Sequence, residues 1–327
     1  MKDIVRVSMG TLRVLGLEIL STGADPTTAY LQTYHAGRCL ANCRFCAQAR
    51  DSSAKDEKIA RGLYPPKDTK EVVARLAKAY DHSLLRRVCI QTMSYQGMLE
   101  DLVYLVKEIR SLSSIPISVS IFPLQEGRME ELKTVGVNTL VIPLDGATEG
   151  IFDEVKGKEA GCPYTWEGHM RALSEAAGVF GKGNVGTHII LGFGESEEDA
   201  LRTIQGMCDL GVRVALFAYT PVPSSQMESE PPKIGSYRRV QLASHLIEKG
   251  LSSFAKMKFE EGVLVDYGVS AKVLEEAVSS GSPFLTRGCP DCNRPYSTES
   301  PGKVIYNYPS KLAAGDFALV RKQLKEP

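Results

Sequence analysis

From residue 29 onward, short runs rich in β-branched and apolar side chains alternate with longer segments whose apolar positions recur at helical spacing, and the alternation persists almost to the end of the chain. This is the βα pattern of a parallel sheet or barrel. The runs predict strands over 29–34, 86–91, 116–121, 139–143, 185–191, 212–218, 255–259 and 283–286. Eight such units close a TIM-like (βα)8 barrel. The runs at 185–191 and 212–218 are near-continuous apolar stretches, as expected of strands buried on both faces. The last two runs are weaker, and without them the pattern describes a partial (βα)6 barrel. Asp68, Thr165 and Ser196 each precede a helical segment that carries an acid in its first turn, which satisfies free N–H groups and suits the helix dipole. Loop residues at 23–26 and 221–232 interrupt the pattern. The chain therefore divides into an N-terminal extension (1–28) with a helix at 11–20, a core (29–227), and a closing portion (228–327) that completes the barrel. After Cys292 the closing portion is loop-like, and it ends in a short helix from Ala313.

Composition narrows what such a barrel does. The 327 residues carry 39 Lys and Arg against 39 Asp and Glu. Zero net charge, with both signs interspersed, argues against a broad nucleic-acid or anionic-membrane surface. No stretch is apolar enough for a spanning helix, and the first residues lack a signal-peptide pattern, so a cytoplasmic protein is expected. The eight cysteines are the unusual feature. In a reducing compartment, clustered cysteines point to metal or redox chemistry rather than a disulfide framework.

Five of them cluster. Cys39, Cys43 and Cys46 follow the first predicted strand directly, which puts three thiolates on a loop at the catalytic end of a barrel. Such soft ligands select zinc, Cu(I) or iron–sulfur clusters, and three from one tight loop leave one iron of a four-iron cluster open to an external ligand. A structural zinc site would need paired knuckles or a distant fourth ligand such as His35. Cys289 and Cys292 form a CxxC just beyond the eighth predicted strand, expected to open on the same face as the triplet. Half of a zinc ribbon, a dithiol switch and a second iron–sulfur cluster all fit that pair. Cys89, within the second strand, and Cys162 are candidate further ligands. Cys208 lies in an apolar helical stretch and reads as core.

The Cys39-x3-Cys43-x2-Cys46 loop, with Phe45 before the last cysteine, resembles the signature of the radical S-adenosylmethionine (SAM) superfamily, over about residues 30–227. The resemblance implies a 4Fe–4S cluster on the three cysteines that chelates the methionine part of SAM and generates a 5′-deoxyadenosyl radical. It also implies that the Ile190-Leu191-Gly192-Phe193-Gly194-Glu195 segment, including Ile190, Gly192 and Glu195, lies along the adenine, although His188 stands where the family pattern has its first Gly. Asp145, in Leu144-Asp145-Gly146, is similar to the ribose-contacting Asp of biotin synthase; as a bare feature an acid there equally caps a helix. Thr92 and Ser94 occupy the place of the segment that meets the methionine amine, without its sequence.

Cys89 is placed like a cluster ligand of biotin synthase. The cysteines that enzyme would have in its third and fifth strands are absent here. The segment Cys289-Pro290-Asp291-Cys292-Asn293-Arg294-Pro295-Tyr296, with Ser300-Pro301-Gly302 and Ile305-Tyr306-Asn307-Tyr308-Pro309, resembles biotin-synthase-like proteins that act in pairs as a two-component lipoyl synthase. That implies sulfur insertion into an octanoyl chain on a lipoyl-carrier protein or domain, with an auxiliary cluster on Cys289, Cys292 and Cys89 as sulfur donor. It further implies a second radical SAM subunit and an electron donor such as ferredoxin or flavodoxin. The alternatives are a biotin-synthase-like or other cofactor-building relative, or a non-catalytic iron–sulfur scaffold or electron carrier. His35 and His188 are expected as hydrogen-bonded rim or core histidines, and Tyr296, Tyr306 and Tyr308 as packing for the C-terminal segment.

Overall fold

The computed structural model describes residues 3–295, 299 and 304–326. Twelve strands are present among them: β1 (Ile4–Val7), β2 (Thr28–Thr33), β3 (Lys58–Ile59), β4 (Gly62–Leu63), β5 (Pro66–Asp68), β6 (Arg87–Gln91), β7 (Ile117–Ser120), β8 (Thr139–Val141), β9 (Val185–Leu191), β10 (Val212–Ala218), β11 (Lys258–Glu260) and β12 (Val263–Asp266). The helices are α1 (Met9–Val14), α2 (Thr69–Asp81), α3 (Met98–Leu112), α4 (Glu126–Thr134), α5 (Glu149–Val155), α6 (Trp166–Phe180), α7 (Glu197–Asp209), α8 (Ile234–Glu248), α9 (Ala271–Ser280) and α10 (Ala314–Gln323). The main sheet runs β10-β9-β8-β7-β6-β2-β1-β5. From β2 to β10 it is parallel, while β1 and β5 add antiparallel strands at the β2 edge. The partial (βα)6 form is therefore the one adopted, an open arc without a closed barrel. No described helix is long and apolar enough to cross a membrane.

Side chains alternate across each strand, and the two faces have different work. Leu31, Val88, Ile90, Val119, Leu140, Ile189 and Leu216 face the helices and are almost fully buried. Against them pack Val72 and Leu76 of α2, Leu102 and Ile109 of α3, Leu173 of α6 and Leu201 of α7, each such side chain contributing about 1.5–3 kcal/mol. The intervening residues Tyr30, Gln32, Cys89, Gln91, His188 and Phe217 line the inside of the arc. The predicted caps are in place: Asp68 accepts from the Glu71 N–H, Thr165 from Gly168, and Ser196 forms a capping box with Asp199.

Three expectations need correction. The N-terminal helix is Met9–Val14 rather than 11–20, and Ile4–Val7 before it is a strand. The seventh predicted strand is strand only at 258–259, in β11; 255–256 belong to the 3-10 turn Phe254–Lys256, and β11 pairs with β12 and not with the main sheet. The eighth is a 3-10 turn, Ser282–Phe284, started by Gly281 in the left-handed region (φ 68°) with Pro283 in its first positions; only Leu285 forms a strand-like bridge, to Tyr308.

The C-terminal portion is anchored by Arg238 of α8, which is fully buried. Its guanidinium donates to the Ile305 and Tyr306 carbonyls and to Gln241 and Gln323, and it faces the Tyr308 ring. This leaves residues 288–294 to cross the floor of the arc, at the N-terminal ends of the strands. The Thr27 and Thr28 hydroxyls donate to the Asp291 carbonyl (2.5 and 3.1 Å), and Arg87 Nε donates to that of Pro290 (2.8 Å). Asn293 donates to the Asp25 carbonyl and accepts from the Thr27 N–H.

Candidate functional site

The loop leaving β2 is tied into a fixed shape before any metal is considered. Cys39 N–H donates to the Gln48 carbonyl (3.1 Å), joining the ends of the loop, and Cys46 N–H donates to the Cys43 carbonyl (3.0 Å). Asn42 Nδ2 donates to Asp51 and to the Ala160 carbonyl, while Gln226 donates to Asn42 Oδ1. Backbone N–H groups aim at the triplet's sulfurs, Ser94 at Cys39 (3.2 Å) and Gln48 at Cys46 (3.4 Å) among them. Burial pushes the Cys39 thiol up and Cys46 to about 11. Cys43 is raised chiefly by its hydrogen bond to Cys162, and the same bond draws Cys162 down to about 7. Cys162 also accepts the Asn42 N–H (3.0 Å).

Around this loop stand the C-terminal ends of the other strands. Thr92 Oγ1 donates to the Ser120 carbonyl (3.1 Å). Asp145, just past β8, adopts a left-handed backbone (φ 67°) and bridges to Ile189. Its carboxylate pairs with Lys156 Nζ at 2.7 Å, and Lys156 also donates to the Pro143 carbonyl. Phe45 packs on Phe193 (ring centroids 5.3 Å apart), which packs on Tyr219 (5.4 Å). The Glu195 carboxylate accepts the N–H groups of Gly192 (2.7 Å) and Phe193 (3.0 Å) and so fixes the loop after β9. Gly192 has φ 112°, and a Cβ there would lie 3.1 Å from Tyr219 Cβ.

A cavity of about 550 Å³ fills the arc. Cys39, Cys43, Cys46, Phe45, Thr92, Ser94, Asp145 and Ile190 border it, whereas Gly192 and Glu195 sit behind that wall. Cys89, Cys289 and Cys292 border it too, but from the floor. The sequence reading put the CxxC pair on the same face as the triplet; the hydrogen bonds of residues 290–293 to Asp25, Thr27, Thr28 and Arg87 hold it at the opposite end.

Cys89 lies in register with Tyr30 and Ser118. Burial, then the nearby Cys289 and Cys292, push its thiol well up. Burial likewise raises Cys289, against a hydrogen bond from Ser118. Cys292 Sγ lies 3.5 Å from Tyr30 Oη. Cys162 is at the triplet end, away from this set, and Cys208 packs on the core.

His35 stacks on Tyr95 at 4.7 Å. His188 faces the cavity, and burial drops it to about 4. Tyr306 Oη donates to the Pro232 carbonyl and Tyr308 is buried, both packing the C-terminal segment; Tyr296 and Ser300-Pro301-Gly302 lie outside the described residues.

Sequence reasoning missed Lys156, Tyr30 and Arg87. A lysine and an arginine are ordinarily surface residues, and no local pattern marks these two; Tyr30 had only its inward parity on β2 as a signal.

Both donor sets fit iron–sulfur chemistry. They are thiols without competing carboxylates among the candidate ligands, bordering a cavity, with N–H or O–H groups directed at sulfur.

Comparison with known proteins bears on the triplet. The chain is 25% identical over 203 residues to biotin synthase of Magnetococcus marinus, covering 60% of this chain and 58% of that protein. It is 25% identical over 198 residues to an uncharacterized protein of Methanocaldococcus jannaschii, covering 58% and 48%. It thus spans about half of the length of each of these relatives. The FeFe-hydrogenase maturase HydG from Carboxydothermus hydrogenoformans superposes with TM-score 0.52 at 15% identity, covering 83% of this chain and 70% of that one, a likeness of fold. Residues 33–206 match the Radical SAM superfamily model, and that match joins the thiol triplet and the six parallel strands into one conclusion: the chain belongs to the radical SAM superfamily.

Proposed function

We propose that this radical SAM enzyme inserts sulfur into an unactivated C–H bond, in lipoyl synthesis on an octanoylated lipoyl-carrier protein or domain. A second radical SAM subunit would be its partner, and a ferredoxin or flavodoxin its electron donor. The observation that carries the reading is the pairing of thiol sets: Cys89, Cys289 and Cys292 border the same cavity as Cys39, Cys43 and Cys46, from the opposite end.

When bound, the triplet's 4Fe–4S cluster with SAM supplies the 5′-deoxyadenosyl radical, and an auxiliary cluster on the second set supplies sulfur. The chain's own residues bind, orient and shield. Asp145 accepts from ribose hydroxyls, and Lys156 keeps that carboxylate in place. Phe45, braced by Phe193, and Ile190 give the adenine an apolar wall. Glu195 and Gly192 shape the loop behind it. Ser94 and Thr92, with the carbonyls at the end of β6, receive the methionine amine. Tyr64, Phe122, Val141 and Phe217 make the walls between the two thiol sets largely apolar, which keeps water from a reactive radical.

A biotin-synthase-like reaction is the second reading, favoured by the match to the Magnetococcus marinus enzyme. Against it, β7 and β9 carry no cysteine, and Ser118 of β7 hydrogen-bonds Cys289 instead. The deciding experiment offers an octanoyl-lysine peptide, SAM and dithionite to the anaerobically reconstituted protein, with and without a second subunit. Mass spectrometry should find one or two added sulfurs. Abundant 5′-deoxyadenosine with no added sulfur under either condition would refute the substrate assignment.

A further inference from the structure

We propose that the Tyr30 phenol donates a hydrogen bond to Cys292 and thereby raises the reduction potential of the auxiliary cluster; this rests on the reading that Cys89, Cys289 and Cys292 hold such a cluster. Tyr30 is on β2, faces the cavity, and stands in register with Cys89. Its Oη lies 3.5 Å from Cys292 Sγ and 2.8 Å from the backbone nitrogen of Arg294. The Arg294 N–H can only donate, so it occupies a lone pair of the phenol oxygen. A cysteine bound to iron is a thiolate and has no proton to give. The bond to sulfur must then run from the Tyr30 O–H.

Both ends of this contact are held. Tyr30 is only 7% exposed, and its oxygen is held by the Arg294 N–H. Arg294 has φ 34°, in the left-handed region that a side chain rarely adopts, and such a conformation persists only where surroundings enforce it. Here its guanidinium lies 3.9 Å from the Phe217 ring centroid and donates to the Arg287 carbonyl (2.9 Å), while the preceding Asn293 is pinned to Asp25 and Thr27.

Hydrogen bonds to cluster sulfurs are among the determinants of reduction potential; withdrawing charge from a thiolate favours the reduced form. That direction suits the proposed chemistry. A new carbon–sulfur bond takes one electron from a carbon radical and one from a sulfide pair, and the other electron of that pair passes to iron. Tyr30 is thus a positioning residue that acts through Cys292, without itself touching substrate.

The test compares the anaerobically reconstituted full chain with Tyr30→Phe by iron analysis and EPR-monitored redox titration. The variant should keep its iron, and the auxiliary midpoint should fall by about a tenfold change in the reduction equilibrium, which is about 59 mV for one electron. The midpoint of the SAM-binding cluster should not move. If Tyr30→Phe loses iron, Tyr30→3-fluorotyrosine decides: a more acidic donor should raise the auxiliary midpoint. A second midpoint that neither substitution moves would overturn this inference alone. A single midpoint with about four irons per unmutated chain would overturn it together with the auxiliary-cluster reading.

Discussion

The Asp145–Lys156 pair is a sharp place to probe the site. The two groups meet at 2.7 Å with side chains only 10% and 6% exposed, inside a wall that also holds the cysteine triplet. Removing one partner leaves the other charged and buried, which costs about 3–5 kcal/mol, far more than a surface pair is worth. Lys156→Met should therefore destabilise the cluster-free, reduced protein by about 3–5 kcal/mol in urea unfolding. Asp145→Asn should cost less, because Lys156 keeps the Pro143 carbonyl and asparagine tolerates the left-handed backbone at φ 67°. In the double variant neither charge is stranded, so its loss should fall short of the summed single losses by about 2 kcal/mol. If each single change costs under about 1 kcal/mol and the two simply add, the pair is screened by solvent and the argument for a preformed, low-dielectric site is wrong.

Other outcomes follow from the same geometry. Gly192→Ala should lose about 1–3 kcal/mol of stability, because its backbone is at φ 112° and a Cβ would lie 3.0 Å from Pro232 Cδ; urea titration measures this, and equilibrium SAM binding should weaken with it. Arg87→Met removes the donor to the Pro290 carbonyl, so iron after reconstitution should drop from about eight toward about four per chain with the fold retained by circular dichroism; unchanged iron would refute the positioning role. Burial holds His188 and His245 near 4, below the ordinary 6.5, so both are neutral in the fold. The unfolded chain then binds more protons between pH 6.5 and 4. Stability, full above 6.5, should fall with pH through that window by up to about 1.4 kcal/mol per unit per histidine; His188→Phe should flatten the slope, and an unchanged slope would count against its burial as neutral imidazole.

The parts of the fold written in local pattern were readable. Six parallel strands announced themselves as β-branched runs, and Asp68, Thr165 and Ser196 marked helix starts because an N-cap is a short-range event. The runs at 255–259 and 283–286 failed for a physical reason: a few apolar residues beside Gly and Pro serve a turn as well as a strand, and only pairing decides. Ile4–Val7 was hidden because its membership depends on β2 and β5, and because Arg6, buried there, broke the apolar pattern. The triplet was readable from its spacing. What spacing cannot convey is the end of the arc to which a loop returns, so the floor position of Cys289 and Cys292 came from Thr27, Thr28 and Arg87. Lys156 carried no local signal, since its burial is made by Asp145 and Pro143.

The floor of the arc has a temporal consequence. Asp25, Thr27, Thr28 and Arg87 leave the ribosome well before the segment they bind, 290–293. All the strands of the arc and the Cys39–Cys43–Cys46 loop can be in place while Cys89 still faces an open underside. Assembly of the two thiol sets is therefore ordered by synthesis itself: the upper set can be complete in a nascent chain, and the lower set only once residues 290–293 have swung back beneath β2.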